Sequence, residues 1–296
     1  MEENRIKYSE NRIKYNENTI IMLVLLIVGS VIMLLPFLWM LLSAFKTYQE
    51  TLAIPIQWLP RELFLEDGRF TLSNSFVNFS EVLGRLDFGL YYRNTIFVTV
   101  TITVVQMLVC SLGAYAFARI EFPGRNIIFF GLLSMLMIPQ QMTLIPSFVL
   151  LTNLGWINTF RALTIPMFFS AYGTFFLRQF FLTLPKELEE SAFIDGASHF
   201  RVYWQICLPL CKSAIAALSI FVVLWSWNDL LWPLIMTSSS SVRVLSVGIS
   251  TLIGQYHTRN DWFMAASILA TAPMIIVFII GQKRIVSGIA ITGIKS

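Results

Sequence analysis

The run IIMLVLLIVGSVIMLLPFLWMLLSAF, Ile20 to Phe45, contains no Asp, Glu, Lys, Arg or His. A helix needs about 20 apolar residues to cross a hydrocarbon layer roughly 30 Å thick, and this run is longer than that. A secretory leader carries an apolar stretch of only about 7–15 residues, followed by a small-residue cleavage site. No such site follows here, and further apolar runs come after it. The expectation is a retained membrane span.

Five more runs of similar character follow: Asn94 to Ala118, Asn126 to Leu151, Phe160 to Leu184, Leu210 to Ile235 and Trp262 to Gln282. The 296 residues are 56% hydrophobic and 13% charged, against about 25% charged in soluble domains. Helices are the expected form of all six, because open strands in lipid would leave backbone groups unpaired and the alternation of a membrane barrel is absent. The fold class read here is an all-α polytopic membrane protein with six transmembrane helices.

Basic residues set the orientation. An inside amino terminus places Arg5, Lys7, Arg12, Lys14, Arg119, Arg125, Arg178, Lys186, Arg201, Lys212, Lys283, Arg284 and Lys295 on the cytoplasmic side. The short outside loops receive only Arg161, Arg243 and Arg259, the other five lying in or beside one long outside segment. Both termini are therefore expected inside. The formal net charge of +4 reports this topology, and nucleic acid is a poor partner for a chain whose cations lie on its membrane rims. The expected organisation is a basic tail (1–19), a first span (20–45), an outside segment (46–93), a core of five spans (94–285) holding a cytoplasmic loop (185–209), and a second tail (286–296).

The first tail repeats itself, ENRIKYS then ENRIKYN, from Glu3 to Asn16. Two heptads are too few for a coiled coil; the tail either sets topology or grazes an anionic leaflet. The outside segment reads as a structured cap or a partner face. In the loop ARIEFPGRN, Pro123-Gly124 supplies the turn, Arg119 and Arg125 hold it inside, and Arg178 reaches the inner interface from the fourth span.

Catalytic motifs are missing. Gly-Lys never occurs, so there is no phosphate loop. Neither a nucleophile elbow nor H-E-x-x-H is present. His199 and His257 fall on opposite sides of the expected topology. Cys207 and Cys211 would need two more ligands to hold a metal. No enzymatic activity, cofactor or metal is expected of this chain itself.

Polar groups inside the spans are few. MLMIPQQMTLIPSF in the third span sets Gln140, Gln141 and Thr143 between Pro139 and Pro146. Prolines remove helix hydrogen bonds, and interrupted helices with polar groups at mid-membrane are where transporters hold substrates; helix–helix hydrogen bonding is the alternative. LWSWNDLLWPLI in the fifth span sets Asn228 and Asp229 among Trp225, Trp227 and Trp232. Aromatic faces beside amide and carboxylate suit a sugar, while an interfacial aromatic belt would look the same.

Between the fourth and fifth spans lies EESAFIDGASHFRVYWQICLPL, Glu189 to Leu210. Pro185 and the acids Glu187, Glu189 and Glu190 suit a helix start. Gly196 suits its end, and Ser198 caps a second helix with Phe200, Tyr203, Trp204 and Cys207 on one stripe. The expectation is a helix–Gly–helix elbow. Its acids fit anionic lipid poorly, whereas its aromatics would anchor in the pocket of a soluble protein.

These residues resemble a family. Glu190, Ala192, Asp195, Gly196, Ala197, Ile206, Leu208 and Pro209 stand as in the E-A-A loop of binding-protein-dependent ABC importer permeases. PFLWMLLSAFK (Pro36 to Lys46), GAYAFARIEFPGR (Gly113 to Arg125), MIPQQMTLIP (Met137 to Pro146), WNDLLWPLI (Trp227 to Ile235) and the tail GIAITGIKS are similar to the carbohydrate branch, of the maltose-permease second-subunit type. Ser191 stands where Ala is usual, and Ser213 where Pro often follows.

The resemblance implies a type I importer permease in a bacterial cell membrane, forming half of a sugar pathway, most simply for di- or oligosaccharides. Implied partners are a second related permease, two cytoplasmic ATPase subunits that use ATP and Mg, an extracellular solute-binding protein, the sugar and membrane lipid. It implies ATPase coupling through Glu190, Ala192, Asp195, Gly196, Ala197, Phe200, Tyr203 and Trp204, with Glu190 meeting a basic residue of the ATPase and Gly288 to Ser296 as a second contact. Gln140, Gln141, Thr143, Asn228 and Asp229 are the expected pathway residues. Glycerol-phosphate or polyol import is the alternative substrate class. A transporter acting alone would need an inverted repeat and ion-coupling charges that the sequence lacks, and a non-transporting scaffold would use the elbow only for recruitment.

Overall fold

A computed structural model describes residues 17–61, 76–255 and 259–293. The repeated tail, most of the Arg61 to Arg69 stretch, His257 and the side chains of Gly288 to Ser296 lie outside the described residues. The helices are α1 (Glu17–Ala44), α2 (Tyr48–Thr51), α3 (Val77–Arg85), α4 (Phe88–Arg119), α5 (Arg125–Ser134), α6 (Gln140–Asn153), α7 (Phe160–Thr164), α8 (Ala171–Thr183), α9 (Glu187–Ile194), α10 (His199–Val202), α11 (Leu208–Leu210), α12 (Lys212–Asn228), α13 (Leu231–Met236), α14 (Leu245–Ser250), α15 (Leu252–Gln255) and α16 (Asn260–Gly293).

Among the described residues, four helical stretches are long and apolar enough to cross a membrane: Thr19–Ala44, Phe88–Arg119, Phe160–Thr183 and Asn260–Gln282. Two bent pairs, Arg125–Met137 with Gln140–Asn153 and His199–Leu210 with Lys212–Asn228, make six if each is one span. The six-span, all-helical reading stands, with shifted limits. α4 begins at Phe88, ahead of the expected Asn94, and α16 continues to Gly293.

The third span is interrupted at the first of its two prolines, while Pro146 lies inside α6. It turns by 99° between Met137 and Gln140. Pro139 excludes helical backbone from the residue before it, and Ile138 is extended (φ −92°, ψ 115°). Pro139 then leads into α6.

The chain divides into two units. In the first, Met1–Ser80 with Arg259–Ile268, α1 presents apolar side chains on all sides, the mark of a helix solvated by hydrocarbon. At its end Lys46 is buried with Nζ 3.8 Å from the centre of the Trp39 ring. Burial holds this amine below its ordinary pKa, and Glu50 partly offsets the effect. Asn78 donates to the carbonyls of Ala44 (2.9 Å) and Lys46 (2.8 Å). Thr47 and Glu50 cap each other at the start of α2. Arg259 pairs with Asp261 (2.6 Å) and lies 3.9 Å from the Trp262 ring centre. The described parts of the outside segment thus carry specific polar anchors.

In the second unit, Glu81–Thr258 with Leu269–Ser296, α4 is the axis. Val98, Ile102, Met107, Cys110, Ala114 and Tyr115 are buried along it. They share one core with Leu177, Phe180 and Phe181 of α8 and Ala214, Leu218 and Val222 of α12. Buried backbone groups in the irregular segments find partners, as they must. Asn94 donates to the carbonyls of Ser241 and Arg243 (2.9 Å each). The Leu245 amide donates to Thr95 Oγ1 at 2.8 Å.

Candidate functional site

The elbow forms from the residues that suggested it. Asp195 is the C-cap of α9, and Gly196 follows in the left-handed region (φ 80°). Its amide donates to Phe193 O (3.0 Å) and that of Ala197 to Ala192 O (2.9 Å), the paired bonds of a Schellman ending. Ser198 then accepts from the Arg201 amide (3.4 Å) and starts α10. A π-helical turn, Tyr203–Cys207, joins α10 to α11.

Glu190, Asp195, Gly196, Phe200 and Trp204 are exposed, while Ala192 and Ala197 pack half-buried against the core. The rings of Phe200 and Trp204 stack with centroids 6.5 Å apart. Together they form an outward aromatic step beside two acids, the chemistry expected of a docking face.

Tyr203 is corrected. It is 1% exposed and its hydroxyl hydrogen-bonds Ser111 at 2.8 Å. The wide turn carries Tyr203 and Cys207 inward with Val202, so the stripe read from the sequence splits into an outer pair and an inner pair.

Behind the elbow lies an arrangement that sequence reading missed. Arg119, the last residue of α4, and Glu189, in the first turn of α9, approach to 2.8 Å (Nε–Oε1) with side chains only 5% and 9% exposed. The approach is off the N–H axis, making a Coulombic contact. Arg119 Nη2 also donates to Leu184 O at 2.6 Å. The signal available was a group of three acids at one helix start, which is more than dipole compensation needs.

Three of the helical runs are interrupted: the third span at Ile138–Pro139, the fourth between Met167 and Ala171, and the fifth at Asp229 and Leu230. A cleft of about 390 Å³ is lined by Gln106, Gln140, Ser170, Tyr172, Phe221 and Trp225 among others. Gln106 donates to Met167 O (3.0 Å) and Ser170 caps α8 through the Gly173 amide (3.0 Å). Gln106 is a second residue the sequence reading missed, although an amide in an apolar span was signal enough.

Of the five expected pathway residues, Gln140 alone lines this cleft. Gln141 and Thr143 are exposed, and Thr143 Oγ1 donates within its own helix to Gln140 O (2.9 Å). Asn228 donates back to Leu224 O at 2.7 Å. Asp229 follows α12 as its C-cap: its carboxylate accepts from the Trp232 amide (3.4 Å) and its carbonyl from Ser246 Oγ (2.6 Å). It borders a narrower crevice with Thr95, Thr99 and Ser226. The tryptophans also part ways. Trp225 lines the cleft, while Trp227 and Trp232 are buried and donate to Ala270 O and Ala162 O (3.0 Å each).

The chain as a whole is similar to known proteins. The family model described as "Binding-protein-dependent transport system inner membrane component" matches residues 12–291. The arabinooligosaccharides transport system permease protein AraQ of Halalkalibacterium halodurans is 33% identical over 263 residues, which is 88% of this chain and 90% of that protein. The sn-glycerol-3-phosphate transport system permease protein UgpE of Yersinia pestis is 38% identical over 204 residues, 68% of this chain and 73% of that protein. A chain in the crystal structure of a bacterial ABC transporter importing the acidic polysaccharide alginate superposes with a TM-score of 0.76 at 22% identity, covering 89% of this chain and 95% of that one. Six apolar spans, an elbow in the E-A-A pattern and a family match over nearly the whole length place the chain among the inner-membrane components of binding-protein-dependent transport systems, as a multi-pass permease subunit that is not itself catalytic.

Proposed function

We propose that this permease passes a neutral sugar oligomer, and that its elbow docks on an ATPase subunit whose bound ATP and Mg drive the cycle. A second, related permease supplies the other half of the pathway and the other elbow, so that two ATPase subunits serve the pair. The observation that carries the substrate class is the lining of the cleft. It offers amides (Gln106, Gln140), hydroxyls (Ser170, Tyr172) and aromatic faces (Trp225, Phe221). Among the described residues no Lys, Arg or His lines it.

A phosphate dianion entering such a surface would lose its hydration with no cation to replace it, at a cost of several kcal/mol. Sugar hydroxyls find donors and acceptors there, and sugar C–H faces stack on the rings. This favours the arabinooligosaccharide relatives over the glycerol-3-phosphate ones as guides to the cargo.

The test is uptake by the chain co-expressed with its cognate subunits. Labelled neutral oligosaccharide is expected to accumulate and sn-glycerol-3-phosphate to be excluded. Trp225→Ala is expected to slow sugar uptake by up to about tenfold, the equivalent of one stacking contact. Uptake of the phosphate at the rate of the sugar would overturn the reading.

A further inference from the structure

We propose that the Arg119–Glu189 pair is the positioning link of this permease: it fixes the elbow to the end of α4, so that a force on the elbow becomes a displacement of the cleft wall. The proposal rests on the docking reading above and adds the path by which docking reaches the cargo. α4 carries Arg119 at its elbow end, Ser111 two turns further in and Gln106 at the cleft. Thirteen residues of helix separate Arg119 from Gln106, about 20 Å of stiff rod.

The elbow grips this rod at two places. α9 holds its end through Glu189, and the turn after α10 holds its flank through the Tyr203–Ser111 bond (2.8 Å). The Tyr115 ring stands between them, 5.4 Å from Tyr203 and 6.0 Å from Phe181. Arg119 joins the third partner too, through Leu184 O at the end of α8.

An apolar contact tolerates sliding, because one methylene substitutes for another. A buried ion pair does not. Shear by the width of a side chain would leave two charges unpaired in apolar surroundings, which is strongly unfavourable. Separating the two charges is costly whatever their mutual orientation, so elbow and rod move together or not at all.

In the reconstituted complex of both permeases, the ATPase subunits and the binding protein, three variants test the link. Glu189→Gln is expected to co-purify with the ATPase and to hydrolyse ATP, with sugar transported per ATP reduced roughly tenfold or more. The double variant Arg119→Met/Glu189→Leu is expected to regain the parental melting temperature and to remain uncoupled. The charge swap Arg119→Glu/Glu189→Arg is expected to transport better than either of its single changes. Spin labels at Glu187 and Glu121, both exposed, are expected to keep their separation through the ATP cycle.

Full transport by the apolar double variant would make the pair a stability element only and overturn the proposal. So would a label separation that changes by about one helical turn, roughly 5 Å. Failure of the unmodified permease to bind the ATPase would instead refute the docking reading, a separate result read from co-purification.

Discussion

Gly196→Asp is expected to abolish uptake and binding-protein-stimulated ATP hydrolysis while the permease still reaches the membrane in normal amount. Nothing lies within 4 Å of a Cβ built on Gly196, so no packing is lost and the chain folds. Two other effects act. The backbone at φ 80° costs an ordinary L-residue about 1–2 kcal/mol, and Asp, which like Asn visits this region, less than that, so the added charge is the larger effect. A third acid also joins Glu190 and Asp195 on the exposed face.

Two companion variants separate the causes. Asn tolerates the left-handed region and matches Asp in shape without its charge, so Gly196→Asn is expected to keep substantial uptake. Gly196→Val, branched and neutral, is expected to fail through strain alone. Uptake and the quantity of co-purified ATPase are measured side by side. Normal uptake by Gly196→Asp would show that the exposed face of the elbow bears no partner.

The elbow was legible because each of its devices is local. Helix-start acids, a glycine stop and a serine cap fall within a short reach of one another, and no distant residue is needed to set them. The spans were legible for a different reason: an uninterrupted apolar run has few places to go but lipid. What composition could not convey was direction. Glu189 and Glu190 are neighbours, about 100° apart around a helix, and nothing in their identity says that Glu189 turns in to meet Arg119 while Glu190 turns out.

The same holds for Tyr203, whose fate was decided by Ser111 on another helix and by a π turn that shifts the register of the stripe. In the third span the prolines were noticed, yet the size of the bend depends on what α6 packs against. Asp229 was read as a pathway acid because a carboxylate in a span is costly; at the helix break its carboxylate accepts from the Trp232 amide, which offsets part of that cost locally.

Gly248→Ala is expected to be the most damaging small substitution in the second unit, lowering stability by about 3 kcal/mol, the upper part of the range for overpacking. α14 crosses α4 at this glycine. An added Cβ would lie 2.6 Å from Cε2 of Tyr91 and closer still to Cδ2. Tyr91 is 4% exposed, so its ring has no free volume to swing into, and α14 must back away. Its retreat would pull on two polar ties: the Leu245 amide on Thr95 Oγ1 (2.8 Å) and Ser246 Oγ on the Asp229 carbonyl (2.6 Å). The second tie steadies the break between α12 and α13, so the damage would reach that break as well as the crossing. The melting temperature of the purified permease is expected to fall clearly in Gly248→Ala and to recover in Tyr91→Leu/Gly248→Ala, where the smaller side chain makes room. If Gly248→Ala melts with the parent, the crossing is loose and these two hydrogen bonds, not close packing, are what hold α14 to the axis of the permease.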